Sequence, residues 1–595
     1  MTKKLLLRSA AVAALCVCGF GYAQAQESAM DFMRHEYSRQ HSAQRAQPNS
    51  FVARGDWGNQ NYGRGGFSSY AEWSPPQDAG PGREPLRAGP QVHVDNPDFL
   101  NYTPDRPQTK SVAKACEPQP DQQANASGDQ PNAIPPAPSS DFAKACAATQ
   151  EVTVTALPQV ADALNAYYAA HPQFVWVQDG TISQRAYDTM KALADAGKYG
   201  LDPADYQVAI PPRPQDETAR QQALLRLEFA LSAKVLTYVL DARRGRIDPN
   251  RISGYHDLPR KSVDLVAAMN EIAMSKNVPA TLAAQNPDNE QFRTLVAELA
   301  RLRADGPDAS PPVAARTRTR PGDKHTAASA KAKENGTAAK IQKVEFALER
   351  MRWLPRQFGD TYVFLNQPAF QVSYVEKGKS PLTMRAVIGK PSAQTYFFVD
   401  KIKDVEYNPY WNVPRSIVIN EMLPRLYRDP SWLNQRGYEV ANDHGRQIAS
   451  NSVNWAAFAH QKASVDVRQP PGERNALGRV KIEFPNKHAI YMHDTPEKSF
   501  FKRDMRALSH GCVRLQYPRE MAAAILGASV DHVDNRIAGK QTDKEVVKRD
   551  IPVYLTYFTA WPDSEGKVHF FNDVYDRDSH LKIALEKTED ARKAP

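Results

Sequence analysis

"HDTPEKSFFKRDMRALSHGCVRLQ", His493–Gln516, decides how this chain is read. It begins at the end of an alternating run, "AIYMHD", which reads as a strand. Fifteen residues separate His493 from the run Ser509, His510, Gly511, Cys512, Val513 and Arg514, and "RLQYPREMAAAILG", which starts at Arg514, is an alternating piece running into a helix. Cys512 therefore belongs on a turn between a strand and a helix. Gly511 before it lets the backbone approach a ligand closely.

A cysteine nucleophile needs a base beside it, a group that orients the base, and donors for an oxyanion. Cys512 has no obvious sequence partner for a disulfide, and an unpaired thiol in an exported protein is a candidate reactive group. His510 lies two residues away and is expected to point elsewhere. His493 can be delivered from across a sheet, so we expect it to be the base and acid. Asp494 is the orienting candidate, through its carboxylate or its main chain, although neighbours on a strand face opposite ways. The backbone N–H groups of Gly511 and Cys512 are the expected oxyanion donors. Two other readings compete. Zinc would draw on His510, Cys512 and His493, short of four ligands with paired spacings. An inert buried thiol leaves the cluster of Ser509, His510, Gly511 and Arg514 without a reason.

Working outward, "TYVFLNQPAFQVSYVEKG", "SPLTMRAVIGK", "QTYFFVDKIKDVEYNP", "GRVKIEF" and "IPVYLTYFTAW" are rich in β-branched and aromatic residues and read as strands. The region 341–575 is thus a mostly-β domain. Residues 412–468, including "SIVINEMLPRLYRDPSWLNQRG", interrupt it with helical pieces and read as an insertion. Residues 151–303 carry helical periods, as in "RQQALLRLEFALSAKVLTYVLDARRG", with no titratable cluster along the sequence, and read as a scaffold. Between the two parts, 304–340 is a low-complexity basic linker, expected to be a solvated tether or a contact with anionic wall or membrane. Residues 26–150 are expected to be disordered from their Gly, Pro, Ser and Gln content. Within them Cys116 and Cys146 either close a loop of about 30 residues or stay free. The ends are a signal peptide, 1–25, and a C-terminal tail, 576–595. The signal has a basic start, a short apolar run and "AQA" before a cleavage expected after Ala25. The run is too short for a spanning helix. The formal charge of +9 is modest for 595 residues, and an exported chain is a poor partner for nucleic acid.

The spacing His493, fifteen residues, then Ser-His-Gly-Cys-Val-Arg resembles the signature of the L,D-transpeptidases. The insertion after "NPYWNVPRSI" and the helices around "GLDPADY" resemble the large Gram-negative members with a YkuD-type catalytic domain, a capping subdomain and a helical scaffold. The resemblance implies an α+β multidomain protein with a mostly-β, sandwich-like catalytic domain. It implies a periplasmic cysteine enzyme acting on peptidoglycan stem peptides. Cys512 would attack the third residue of a tetrapeptide donor, D-Ala would leave, and the amine of a second stem would form a 3–3 crosslink. Water, a D-amino acid or an amine of an envelope protein are alternative acceptors, and carbapenems are expected acylating agents. A non-catalytic wall-binding scaffold is the remaining alternative. Arg514 would hold a substrate carboxylate or form a structural ion pair. Ser509 and His510 would shape the loop. Tyr491 and Trp411 are candidate substrate-wall residues, with core packing as the alternative for each. No cofactor or metal is implied. The small peptidoglycan-binding module of large members has no counterpart at 304–340.

Overall fold

A computed structural model describes residues 99–116, 140–149, 151–305 and 324–593. The expected signal peptide at 1–25 lies outside these residues. Among the described residues no helix is long and apolar enough to cross a membrane.

The scaffold is built around one 28-residue helix, Glu217–Arg244. Asp216 caps it by accepting from Ala219 N–H at 2.6 Å. Its apolar residues are buried on nearly every side, against Pro158–Ala170, Gln184–Ala194 and Leu265–Met274. The helix stops at Gly245, whose φ of +84° suits glycine. A Cβ there would come within 3 Å of Glu349 and Trp353, so only glycine lets the scaffold approach the next helix this closely.

Three expectations from the sequence are corrected. Within 26–150, Gln108–Ser111 pairs antiparallel with Thr153–Ala156, and Ser140–Ala147 is a helix. Cys116 and Cys146 form a disulfide, and Val112, Ala115, Phe142 and Ala145 enter the scaffold core. These segments are too short to show a period, and cross-linking plus strand pairing supplies the burial that composition alone does not promise. Within 304–340, residues from Lys324 onward belong to one helix, Lys324–Trp353. Its Ala- and Lys-rich start has high helix propensity, and Val344, Phe346, Ala347, Leu348 and Met351 anchor its end in the core. The tail at 576–595 forms a helix, Arg577–Lys593, with buried Leu581, Ala584 and Ala591.

The catalytic region is one curled sheet of twelve strands. From one edge the order is Asp543–Val546, Asp404–Tyr407, Val480–Glu483, Met492–His493, Val513–Leu515, Lys379–Gly389, Gln371–Glu376, Thr361–Asn366, Pro552–Thr556, Phe397–Lys401 and His256–Asp257. Ala507–Ser509 pairs beside them with Lys379–Gly389. The last strand of the path, His256–Asp257, comes from the scaffold and runs parallel to Phe397–Lys401. The helix Glu290–Ala304 likewise packs Leu295, Leu299 and Leu302 into the core of the catalytic region. Scaffold and catalytic region therefore share a sheet and a core.

The insertion has its own small core, including Val418, Leu426, Leu433, Val440, Trp455 and Val467. It leaves and rejoins the sheet through neighbouring strands, with Trp411 opposite Gln469 and Asn412 opposite Arg468. That antiparallel neck lets a subdomain fold without disturbing the strands on either side.

Candidate active site

Strand alternation builds the site. Met492–His493 and Val513–Leu515 run side by side and parallel, with Met492 opposite Val513 and His493 opposite Arg514. Lys481 lies opposite His493 on the other side. Met492, Val513, Leu515 and Ile482 point into the core and are almost fully buried. The alternate residues Tyr491, His493, Cys512, Arg514 and Lys481 share the opposite face and line one groove of about 530 Å³. The other wall comes from the insertion, through Trp411, Ile417 and Glu421. Trp411 also packs against the insertion core, so it belongs to wall and core together.

The loop before Cys512 is braced from within. Ser509 Oγ donates to Cys512 O at 2.6 Å and accepts from Gly511 N–H at 3.2 Å. Of the two expected oxyanion donors, Gly511 N–H is engaged by Ser509, and Cys512 N–H is left without a partner among the described residues. Gly511 has φ of +113°, a conformation that favours glycine. His510 points away from the thiol. Its Nε2 lies 2.5 Å from Glu421 Oε1 of the insertion and 3.1 Å from Lys390 Nζ.

His493 is buried, and its Nδ1 sits 2.5 Å from the main-chain oxygen of Asp494. A carbonyl only accepts, so Nδ1 carries the proton and Nε2 keeps a lone pair. The Asp494 carboxylate does not face the imidazole. It accepts from Arg479 N–H at 2.9 Å and Thr495 N–H at 2.7 Å, and pairs with Lys498 at 2.5 Å. Of the two possibilities for Asp494, the main chain is the one realised, because side chains of adjacent strand residues diverge.

Burial, and then the nearby Arg514 charge, pull the His493 pKa down to about 3. Burial pushes the Cys512 thiol up, opposed by hydrogen bonds from Tyr491 and by the Arg514 charge. The thiol lies 3.6 Å from Ala489 O. Thiol and imidazole are therefore both neutral at rest. Tyr491 is more than a wall: its phenol is pushed up by burial and by Cys512, and its ring meets His493 edge-on at 5.6 Å. Arg514 makes no ion pair among the described residues, and its Nε is buried without a partner.

Several groove residues escaped the sequence reading. Lys481 lies 4.7 Å over the Tyr491 ring. His488, held by Asp257 of the scaffold at 2.8 Å, lines the groove beside Ala489. Glu421 meets both His510 and, at 3.7 Å, Lys390. Lys481 and His488 lie close before His493 in no pattern that marks them, and Glu421 and Lys390 are brought in from distant parts of the chain.

The molecule is thus a helical scaffold joined to a curled β domain whose capped groove is lined by both a thiol and a neutral imidazole. Residues 162–299 match the scaffold domain family, and residues 360–547 match the L,D-transpeptidase catalytic domain, YkuD. The chain contains an L,D-transpeptidase catalytic domain of the YkuD family preceded by a scaffold domain. A Haemophilus influenzae protein described as "Putative L,D-transpeptidase" is 31% identical over 246 residues, covering 41% of this chain and 49% of the relative. The chain thus spans about half the length of that relative.

Proposed function

We propose that the protein is a periplasmic peptidoglycan L,D-transpeptidase that forms 3–3 crosslinks through a thioester on Cys512. The observation that carries this reading is the sharing of one groove by Cys512 and a His493 whose Nδ1 is locked and whose Nε2 is left as a base. His493 Nε2 takes the thiol proton as Sγ attacks the carbonyl of diaminopimelate in a tetrapeptide stem. Cys512 N–H faces the developing oxyanion. The C–N bond to D-Ala breaks, and the leaving amine takes its proton from His493. The side-chain amine of a second stem then attacks the thioester, loses a proton to His493 and frees the thiol. The unpaired Arg514 guanidinium binds a substrate carboxylate, whose charge offsets the cost of burying the cation.

Purified disaccharide-tetrapeptide incubated with the enzyme, followed by mass analysis, tests this. A dimer lacking one D-Ala is the expected product. A monomer lacking D-Ala would instead mean hydrolysis by the same thioester, and an unchanged substrate would mean no transfer to stems. Cys512→Ala should abolish turnover and acylation by a carbapenem; retained activity would sink the nucleophile assignment.

A further inference from the structure

We propose that Thr395 is a positioning residue that aims the Cys512 N–H at the oxyanion, and that Tyr575 and Arg577 hold Thr395 in place; this rests on the acyl-transfer reading above. The argument starts from the peptide plane between Gly511 and Cys512. In a planar trans peptide the carbonyl of one residue and the N–H of the next point in opposite directions. Whatever fixes Gly511 O therefore also fixes the direction of Cys512 N–H.

Gly511 cannot do this alone, because without a Cβ its torsions are soft. Ser509 holds Gly511 N–H and Cys512 O, one group on either side of the plane in question. The bond on the plane itself comes from Thr395, whose Oγ1 donates to Gly511 O at 2.7 Å. The same hydroxyl accepts from Gly389 N–H at 2.9 Å, which leaves its proton for Gly511. Thr395 is completely buried, so water cannot take over the bond.

Thr395 is in turn clamped by the segment that follows the last long strand. Tyr575 hydroxyl donates to Gly389 O and lies 3.5 Å from Thr395 N. Arg577 Nη2 donates to Thr395 O at 2.8 Å and to Gln394 Oε1 at 2.9 Å. The Arg577 guanidinium is buried among Tyr255, Tyr557 and Tyr575. Arg577 opens the terminal helix Arg577–Lys593, whose far end carries Arg592 into the scaffold against Asp241 and Asp205. Tyr575 and Arg577 both lie beyond 360–547, the stretch that matches the catalytic domain. The route from scaffold to nucleophile therefore runs through the C-terminal helix, Arg577, Thr395 and Gly511.

The test uses the full chain with disaccharide-tetrapeptide as substrate. Thr395→Val keeps the shape and removes the donor; Thr395→Ser keeps the donor. Thr395→Val should lower kcat roughly 10- to 100-fold with little change in KM. Its Cys512 should still react with iodoacetamide at the wild-type rate, since alkylation needs no oxyanion donor. Thr395→Ser should restore most of kcat. Tyr575→Phe should shift kcat in the same direction by less, and it provides the readout if Thr395→Val does not fold. Unchanged kcat in the folded Val variant, or in Tyr575→Phe where only that folds, overturns the proposal. So does a parallel loss of alkylation, or a Ser variant no better than Val. Failure of the acyl-transfer reading would show separately, as activity retained by Cys512→Ala.

Discussion

At the scale of single residues, the site is a neutral pair rather than a thiolate–imidazolium pair. The pKa of His493 falls to about 3, so its base form is present at every pH well above that. The Cys512 thiol is pushed above its ordinary value of 9.0, so little thiolate exists at neutral pH. Proton transfer then has to accompany attack on the carbonyl. The sign of the pH dependence follows. Iodoacetamide alkylation of Cys512 should climb steadily through the alkaline range, with no step near the ordinary histidine value of about 6.5. A step there would mean that an ion pair forms at rest. Arg514→Gln should raise KM for the tetrapeptide roughly 10- to 100-fold, the range for a hydrogen bond to a charged group, while alkylation of Cys512 persists.

At the scale of elements, the turn beneath His493 and the latch above it have separate tasks. Asp494 ties its strand to Arg479, and Gly478 must lack a Cβ because one would fall 2.3 Å from Asp494 Oδ2. Asp494→Ala should therefore cost about 1–3 kcal/mol in denaturant unfolding, from orphaned donors. The kcat of the folded fraction should change only a few-fold, since the orienting atom is the main-chain oxygen. A loss of kcat by several orders of magnitude would restore the carboxylate to the mechanism. Above the groove, Glu421 lies in a π-helical stretch, Val418–Met422, and joins the insertion to His510 and Lys390. His510 and Lys390 hold the Glu421 carboxyl below its ordinary value, with burial opposing them. Glu421→Gln should loosen the insertion, seen as a higher KM and faster hydrogen exchange in 415–426. The insertion was visible in the sequence because it breaks the strand pattern. Its latch was not, because Glu421 and His510 are 89 residues apart and neither lies in a pattern that points to the other.

At the scale of the whole molecule, the C-terminal helix binds scaffold and catalytic region together. Arg592 pairs with Asp241 and Asp205, which also meets Arg246, all of them buried. The scaffold thus shares a buried charged cluster, in which its Asp205, Asp241 and Arg246 meet Arg592 of the C-terminal helix. Removing one partner leaves buried charge uncompensated, so Arg592→Met should cost about 3–5 kcal/mol in global unfolding. The Cys116–Cys146 disulfide pins the earliest described segments to the scaffold core. Cys116→Ser should lower stability by about 2–4 kcal/mol, the typical range for such a link.

Read as a linear string, the chain determined the strands of the catalytic region, the insertion and the motif that carries His493 and Cys512, which line one groove. Each of these depends on local alternation or on residues set close together. Tertiary structure alone decided which atom of Asp494 orients the imidazole, that Gly511 N–H is already occupied, and that Arg514 faces the groove unpaired. It also decided that a scaffold strand completes the sheet and that Thr395, Tyr575 and Arg577 stand behind the nucleophile. The reason is physical: these depend on hydrogen-bond direction and on burial between segments far apart in sequence, and neither leaves a local period to be read.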